Sequence, residues 1–258
     1  MRKMITLVVY LMAMATLATP VRSLVAARNT INGSPAEEGL SARDYIQDGL
    51  IAMWDCKENI GYGKHDDNAQ VWVDLTGNGH NVTNLTYNGN GWVNGNARLV
   101  DRPAFDIASP IPDSDIKTVS VCCKSINIIR DQVGIIDFGN GNYSTRIITI
   151  YGKKNCFICQ RSTSYSPKIS DVHNLNSFTI VFNGDKMNGY NRNLGWYGDE
   201  PAAEYVAEWA GGNSRCLIGT YKSYCSGYFH NIRVYNRMLS QEEITYNWNV
   251  DRVRFNLP

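Results

Sequence analysis

Phe178, Ile180 and Phe182 stand at every second position of the segment Ser177–Asn183, with Thr179 and Val181 between them. Side chains of a strand point alternately to its two faces, so this spacing predicts a strand with one face in a core. Similar short runs, rich in β-branched and aromatic residues, follow one another through the second half of the chain: Lys117–Lys124, Gln132–Phe138, Thr145–Lys153, Cys156–Ser162, Tyr205–Trp209, Arg215–Tyr221 and Tyr228–Tyr235. They begin mostly 10 to 20 residues apart with no helical period between them. That rhythm favours two antiparallel sheets over alternating strands and helices. In the first half, Gly49–Trp54 is an apolar strand and Val71–Val73 a short one. Between them runs a Gly- and Asp-rich loop, and Asp74–His80 after them is dense with turn residues. Residues 24–44 are polar, carry Gly33, Pro35 and Gly39, and read as a linker, with the domain spanning 45–258.

Two details near the C-terminus are sharper. Ile232 and Val234 keep the period of two, but Phe229 lies three positions before Ile232, so a bulge is expected at His230-Asn231. Ser240-Gln241-Glu242-Glu243 has the spacing of a capping box, in which the serine hydroxyl accepts from the Glu243 amide while the glutamate reaches back. A helix is expected from about residue 241, with Ile244 and Trp248 sharing its buried face. Trp54 and Trp72 sit in apolar strand patterns and read as core.

Composition agrees with many short strands and tight turns. There are 27 Asn and 22 Gly, and charged residues make up only 19%. The net charge of +1 gives no reason to expect nucleic acid or anionic lipid as a partner. Arg2 and Lys3 precede an almost wholly apolar stretch, Ile5–Ala18, too short to span a bilayer but suited to an export signal cut after Ala18 or Ser23. A secreted or surface location follows, with residues 1–23 as signal peptide. The seven cysteines, an odd number, do not suggest a disulfide framework. Cys156 and Cys159 would lie on opposite faces of a strand, as would Cys122 and Cys123, so neither a zinc site nor a Cys156–Cys159 bridge is expected. A Cys216–Cys225 bridge stays open.

The segment Gly227–Ile244, with its Arg233-Val-Tyr-Asn-Arg237 run, Leu239-Ser240 and acidic helix start, resembles the closing segment of bacterial concanavalin A-like, laminin-G-like domains. Asp74-Leu-Thr-Gly-Asn-Gly-His80 is similar to an early loop of that family, Ser177–Asn183 to its central strand and Gly49–Asp55 to its opening strand. The resemblance covers about residues 45–256. It implies a jelly-roll sandwich of two antiparallel sheets with a short C-terminal helix, carbohydrate or glycoprotein binding in many members, and often a calcium ion at the sandwich edge. Domains that open in this way also resemble surface proteins of gut bacteria and their phages.

Hydrolases of this fold carry a Glu-x-Asp-x-(x)-Glu strand, which supplies carboxylates about 5 Å apart. No such run occurs; Glu204 and Glu208 are four residues apart and read as a solvated strand face. The four histidines are scattered, and no metalloprotease, serine hydrolase or phosphate-loop motif is found. The expectation is therefore a chain that is not an enzyme but a non-catalytic carbohydrate- or surface-glycan-binding module, with a structural part in a cell-surface or phage assembly as the alternative. Its sugar site is expected at Tyr190, Trp196, Tyr197 and Trp209, rings placed in the least regular stretch, Lys186–Gly212, where loops would present them. Calcium ligands are expected at Asp74 and Asn78 with carbonyls of the Gly77–Gly79 turn, although the same residues suit an Asx turn without an ion.

Overall fold

A computed structural model describes residues 39–258 except 84, 86–88, 101–104, 113–114, 129–131, 138–146, 152–155, 160–176, 184–185, 192–194, 198–215 and 219–224. Its strands are β1 (Leu50–Asp55), β2 (Val82–Thr83), β3 (Gly91–Val93), β4 (Asn96–Leu99), β5 (Phe105–Ile107), β6 (Thr118–Ile128), β7 (Gln132–Asp137), β8 (Ile147–Tyr151), β9 (Cys156–Cys159), β10 (Ser177–Asn183), β11 (Lys186–Asn191), β12 (Gly195–Tyr197), β13 (Cys216–Ile218) and β14 (Cys225–Tyr235). Helix α1 (Gln241–Arg254) follows. The described strands form two antiparallel sheets: an eight-stranded one in the order β12-β11-β10-β6-β14-β4-β3, with β1 also on β14, and a six-stranded one in the order β2-β5-β13-β7-β8-β9. The fold is a β-sandwich with one C-terminal helix.

Strand alternation decides what each face of the larger sheet does. One register row runs Ala52–Val234–Val119–Ile180–Gly189–Tyr197. Its first four residues are fully buried in a core shared with Phe105, Ile107, Ile136 and Ile218 of the smaller sheet. The neighbouring row runs Met53–Arg233–Ser120–Thr179–Tyr190–Trp196 and belongs to the other face. There Ser120 and Thr179, both buried, share a hydroxyl hydrogen bond of 2.7 Å. A register shift of β14 against β6 falls between Phe229 and Asn231, where the bulge was expected, and another between Ser226 and Tyr228.

On this second face, Met53, Tyr235 and Val181 are covered by α1 and by the segments that flank β1 and α1. Ser240 caps α1: its hydroxyl accepts from the Glu243 amide at 3.3 Å, and its amide donates to Glu243 Oε2 at 2.9 Å. Arg237 holds the same carboxylate with two bonds, at 2.9 and 2.7 Å. The inward line of α1 is Ile244, Asn247, Val250, Asp251 and Arg254. Trp248, expected inside, is only half-buried, because one residue beyond Asn247 is turned 100° away. Residues expected to be linker also belong to the fold. The compact unit starts at Leu40, and Ala42 and Tyr45 are buried beside Met53, Leu75 and Val250. Val71–Val73, expected as a strand, makes only a bridge between Trp72 and Val82.

Burying a charge is costly unless it is paired and hydrogen-bonded. Asp251 meets that condition fully. It takes both terminal nitrogens of Arg233 at 2.9 and 2.7 Å, the Tyr45 hydroxyl at 2.7 Å and the Asn231 amide at 2.7 Å. Arg254 in turn donates to both oxygens of Asp55, to Glu58 at 2.8 Å and to the Leu40 carbonyl at 3.0 Å. The closing-segment residues Arg233, Tyr235 and Arg237 therefore fasten α1 and residues 40–48 to β14.

Candidate functional site

Three of the four rings expected to bind sugar lie on strands, not loops. Tyr190 is on β11, and Trp196 and Tyr197 are on β12, the last strand of the larger sheet. Residues Lys186–Asn191 pair along their whole length with β10, so the template of a well-formed neighbour makes a strand from a segment with weak β-propensity of its own. Tyr190 and Trp196 are direct register partners. Opposed residues on antiparallel strands have Cβ atoms about 5 Å apart and share a face. That row is the one away from the sandwich core. Tyr197 pairs with Gly189 in the core-side row, so the expected site is divided between two faces. Trp209 lies outside the described residues. Asn188, two positions from Tyr190 and opposite Val181, shares the Tyr190 row's face. It was missed because Lys186, Asn188 and Asn191 conceal the alternation among polar residues.

The Asp74 loop is a hydrogen-bonded knot. Asp74 is buried and starts an Asx turn. Its Oδ1 accepts from the amides of Met53 at 3.1 Å and Thr76 at 3.0 Å. Its Oδ2 accepts from the His80 amide at 3.2 Å, and the Thr76 hydroxyl reaches both oxygens, at 2.8 and 2.9 Å. Asn78 turns its amide to the Ile51 carbonyl at 2.9 Å. Gly77 and Gly79 adopt φ of 82° and 83°, which favours glycine. The carboxylate expected to hold calcium thus already receives N–H and O–H donors from both sides, and an ion there would have to replace some of them. Among the described residues no three His, Cys, Asp or Glu side chains gather as a metal site.

A buried cluster under the bulge joins Asn96, His230 and Cys56. Asn96 Oδ1 is 2.7 Å from His230 Nδ1 and 3.8 Å from the Cys56 thiol. The His230 ring stacks on Phe255 with centroids 4.6 Å apart. Its Nε2 is buried without a hydrogen-bond partner. Burial pushes the imidazole down to about 4, since protonation would add a second buried N–H with no acceptor. Burial also pushes the Cys56 and Cys122 thiols up, which leaves them poor nucleophiles. Cys156 and Cys159 take the first and last positions of β9, and Cys216 and Cys225 open strands of different sheets.

No protein-family model matches the chain, and no curated protein matches it. Solved structures do. Trypanosoma rangeli sialidase in complex with sialic acid aligns with a TM-score of 0.56 and 12% identity, over 78% of this chain and 33% of that one. A second structure of Trypanosoma rangeli sialidase gives 0.56 and 11%, over 80% and 33%. The CBM40 of Ruminococcus gnavus IT-sialidase gives 0.44 and 13%, over 57% and 93%. The chain thus spans a third of the length of the Trypanosoma enzymes, and at such identities the likeness to them is one of fold. It nonetheless overturns one expectation. The larger proteins sharing this fold are enzymes, so the missing carboxylate strand of one hydrolase type does not make the chain a non-enzyme.

Proposed function

We propose that the chain is a carbohydrate-binding β-sandwich of the concanavalin A-like, laminin-G-like kind, exported to the cell surface or beyond, with glycan or glycoprotein as its partner. The observation that carries this reading is the register pairing of Tyr190 with Trp196 on the edge hairpin, in the row that leads away from the core. Two rings side by side form an apolar platform for the C–H face of a pyranose, and a neighbouring amide such as Asn188 hydrogen-bonds hydroxyls. Trp209 joins the proposal on its sequence position. A platform of this kind is shallow, so affinity should be on the order of 0.1–1 mM per site, with avidity arising from repetition on a surface.

Glycan-array binding followed by titration of the best ligand tests this. Trp196→Ala and Tyr190→Ala should each weaken binding about tenfold or more, at unchanged melting temperature, whereas Tyr197→Phe should not. A blank array with folded protein, or full binding by Trp196→Ala, overturns the proposal.

A further inference from the structure

The opposite end of the eight-stranded sheet carries a second ring with polar company. Trp92 sits at the middle of β3, the terminal strand on that side. Its indole is fixed from three directions. Nε1 donates to the Ala69 carbonyl at 2.9 Å. The ring stands edge-on to the fully buried Trp72, centroids 5.5 Å apart at 86°. His65 stands edge-on to it at 6.0 Å and 82°. Trp92 is itself half-buried.

The loop that holds the indole also supplies hydrogen-bonding groups. His65 Nδ1 lies 2.8 Å from the Cys56 carbonyl and Nε2 lies 2.9 Å from Asp67 Oδ1. Both partners are acceptors for a ring N–H. His65 thereby ties Asp67 to the Trp92 ring. The Asp67 side chain is 65% exposed, and its Oδ2 takes no hydrogen bond among the described residues. The Asn68 side chain is exposed and also unbonded among them; only its backbone is engaged.

We infer that Trp92, Asp67 and Asn68 form a second binding site, for a neutral pyranose. The indole offers an apolar surface to the sugar's C–H face, Asp67 Oδ2 accepts from hydroxyls, and the Asn68 amide both donates and accepts. An orientated carboxylate and a fixed ring need little ordering on binding, which limits the entropic cost. Charge selects against an acidic sugar: Lys64, Asp66 and Asp67 sum to −1 in this loop, and the carboxylate tied to the ring through His65 repels an anion. This site shares no residue with the Tyr190–Trp196 hairpin.

The test uses the full chain carrying Trp196→Ala, so that the hairpin is silent. Lactose, cellobiose and mannobiose are titrated to about 50 mM, with 3′-sialyllactose as the acidic comparator, following tryptophan fluorescence and NMR shifts. At least one neutral disaccharide should bind in the millimolar range, more tightly than the acidic one. Adding Asp67→Ala should weaken it about tenfold, and Asn68→Ala several-fold, both at unchanged melting temperature. These two variants replace exposed side chains, so they keep the test open even if Trp92→Ala fails to fold. No binding by any neutral sugar, stronger binding of the acidic sugar, or unchanged affinity in both variants overturns the inference. Binding lost in Asp67→Ala alone but retained in Trp196→Ala alone would uphold it while refuting the hairpin site.

Discussion

His230 shows how a single side chain can make the whole fold pH-sensitive. Its pKa is held at about 4 in the fold against 6.5 when free. Because the folded value is the lower one, the unfolded chain binds the proton first. Stability is therefore complete above about pH 6.5, falls by roughly 1.4 kcal/mol per pH unit below it, and levels off near pH 4. Urea titrations at pH 7, 5.5 and 4.5 should show that slope, and His230→Gln should flatten it. A slope unchanged in the variant would refute the assignment. Asp74 acts through hydrogen bonds. Asp74→Ala leaves the amides of Met53, Thr76 and His80 without their acceptor and should cost about 3 kcal/mol. With its lone pairs already engaged, millimolar calcium should not raise the melting temperature of the wild-type chain; a clear rise that disappears in Asp74→Ala would place the ion there. The sequence made both the turn and the ion conceivable at Asp74. What it did not contain was Met53, which donates to that carboxylate from a strand 21 positions earlier.

Among the elements, those that announce themselves locally were legible. The capping box, the bulge in β14 and the alternation of β10 are each written in a few adjacent residues. Ser240→Ala should destabilise the fold by about 1 kcal/mol in a denaturant titration, since one amide at the start of α1 loses its acceptor. A loss below about 0.3 kcal/mol would mean that the Glu243–Arg237 contact carries the helix start alone. The elements that were not legible depend on distant partners. Residues 186–197 carry two glycines and three asparagines, poor strand formers, and β11 and β12 form within them because β10 offers an edge to β11 and β11 one to β12. Residues 40–44 look like linker, yet Glu58 accepts from the Ala42 amide and Arg254, some 200 positions away, donates to the Leu40 carbonyl. The inward face of α1 misled for the same reason: Asn247, Asp251 and Arg254 are buried against partners on other elements, so apolar spacing alone points to Trp248 instead.

For the molecule as a whole, the two-sheet architecture was readable because strand rhythm and turn composition agree over more than a hundred residues. The placement of rings around it was not. Whether Tyr190, Trp196 and Tyr197 share a face depends on register, and a shift of one residue exchanges the faces. Trp92 stands among Asn and Gly residues between Asn88 and Asn96, where nothing local signals that His65 and Ala69 contact it. The pairing of β14 has a consequence for synthesis. This strand, Cys225–Tyr235, is made long after β1, Leu50–Asp55; it separates β6 from β4 and is the sole strand partner of β1 among the described residues. On a ribosome adding about 5–20 residues per second, β1 waits roughly ten to thirty seconds for that partner. The apolar first strand must stay unpaired for that time, and a nascent chain ending at residue 224 should remain without cooperative unfolding in calorimetry. Closure of the larger sheet thus lags the synthesis of its first strand by the length of chain that separates the two.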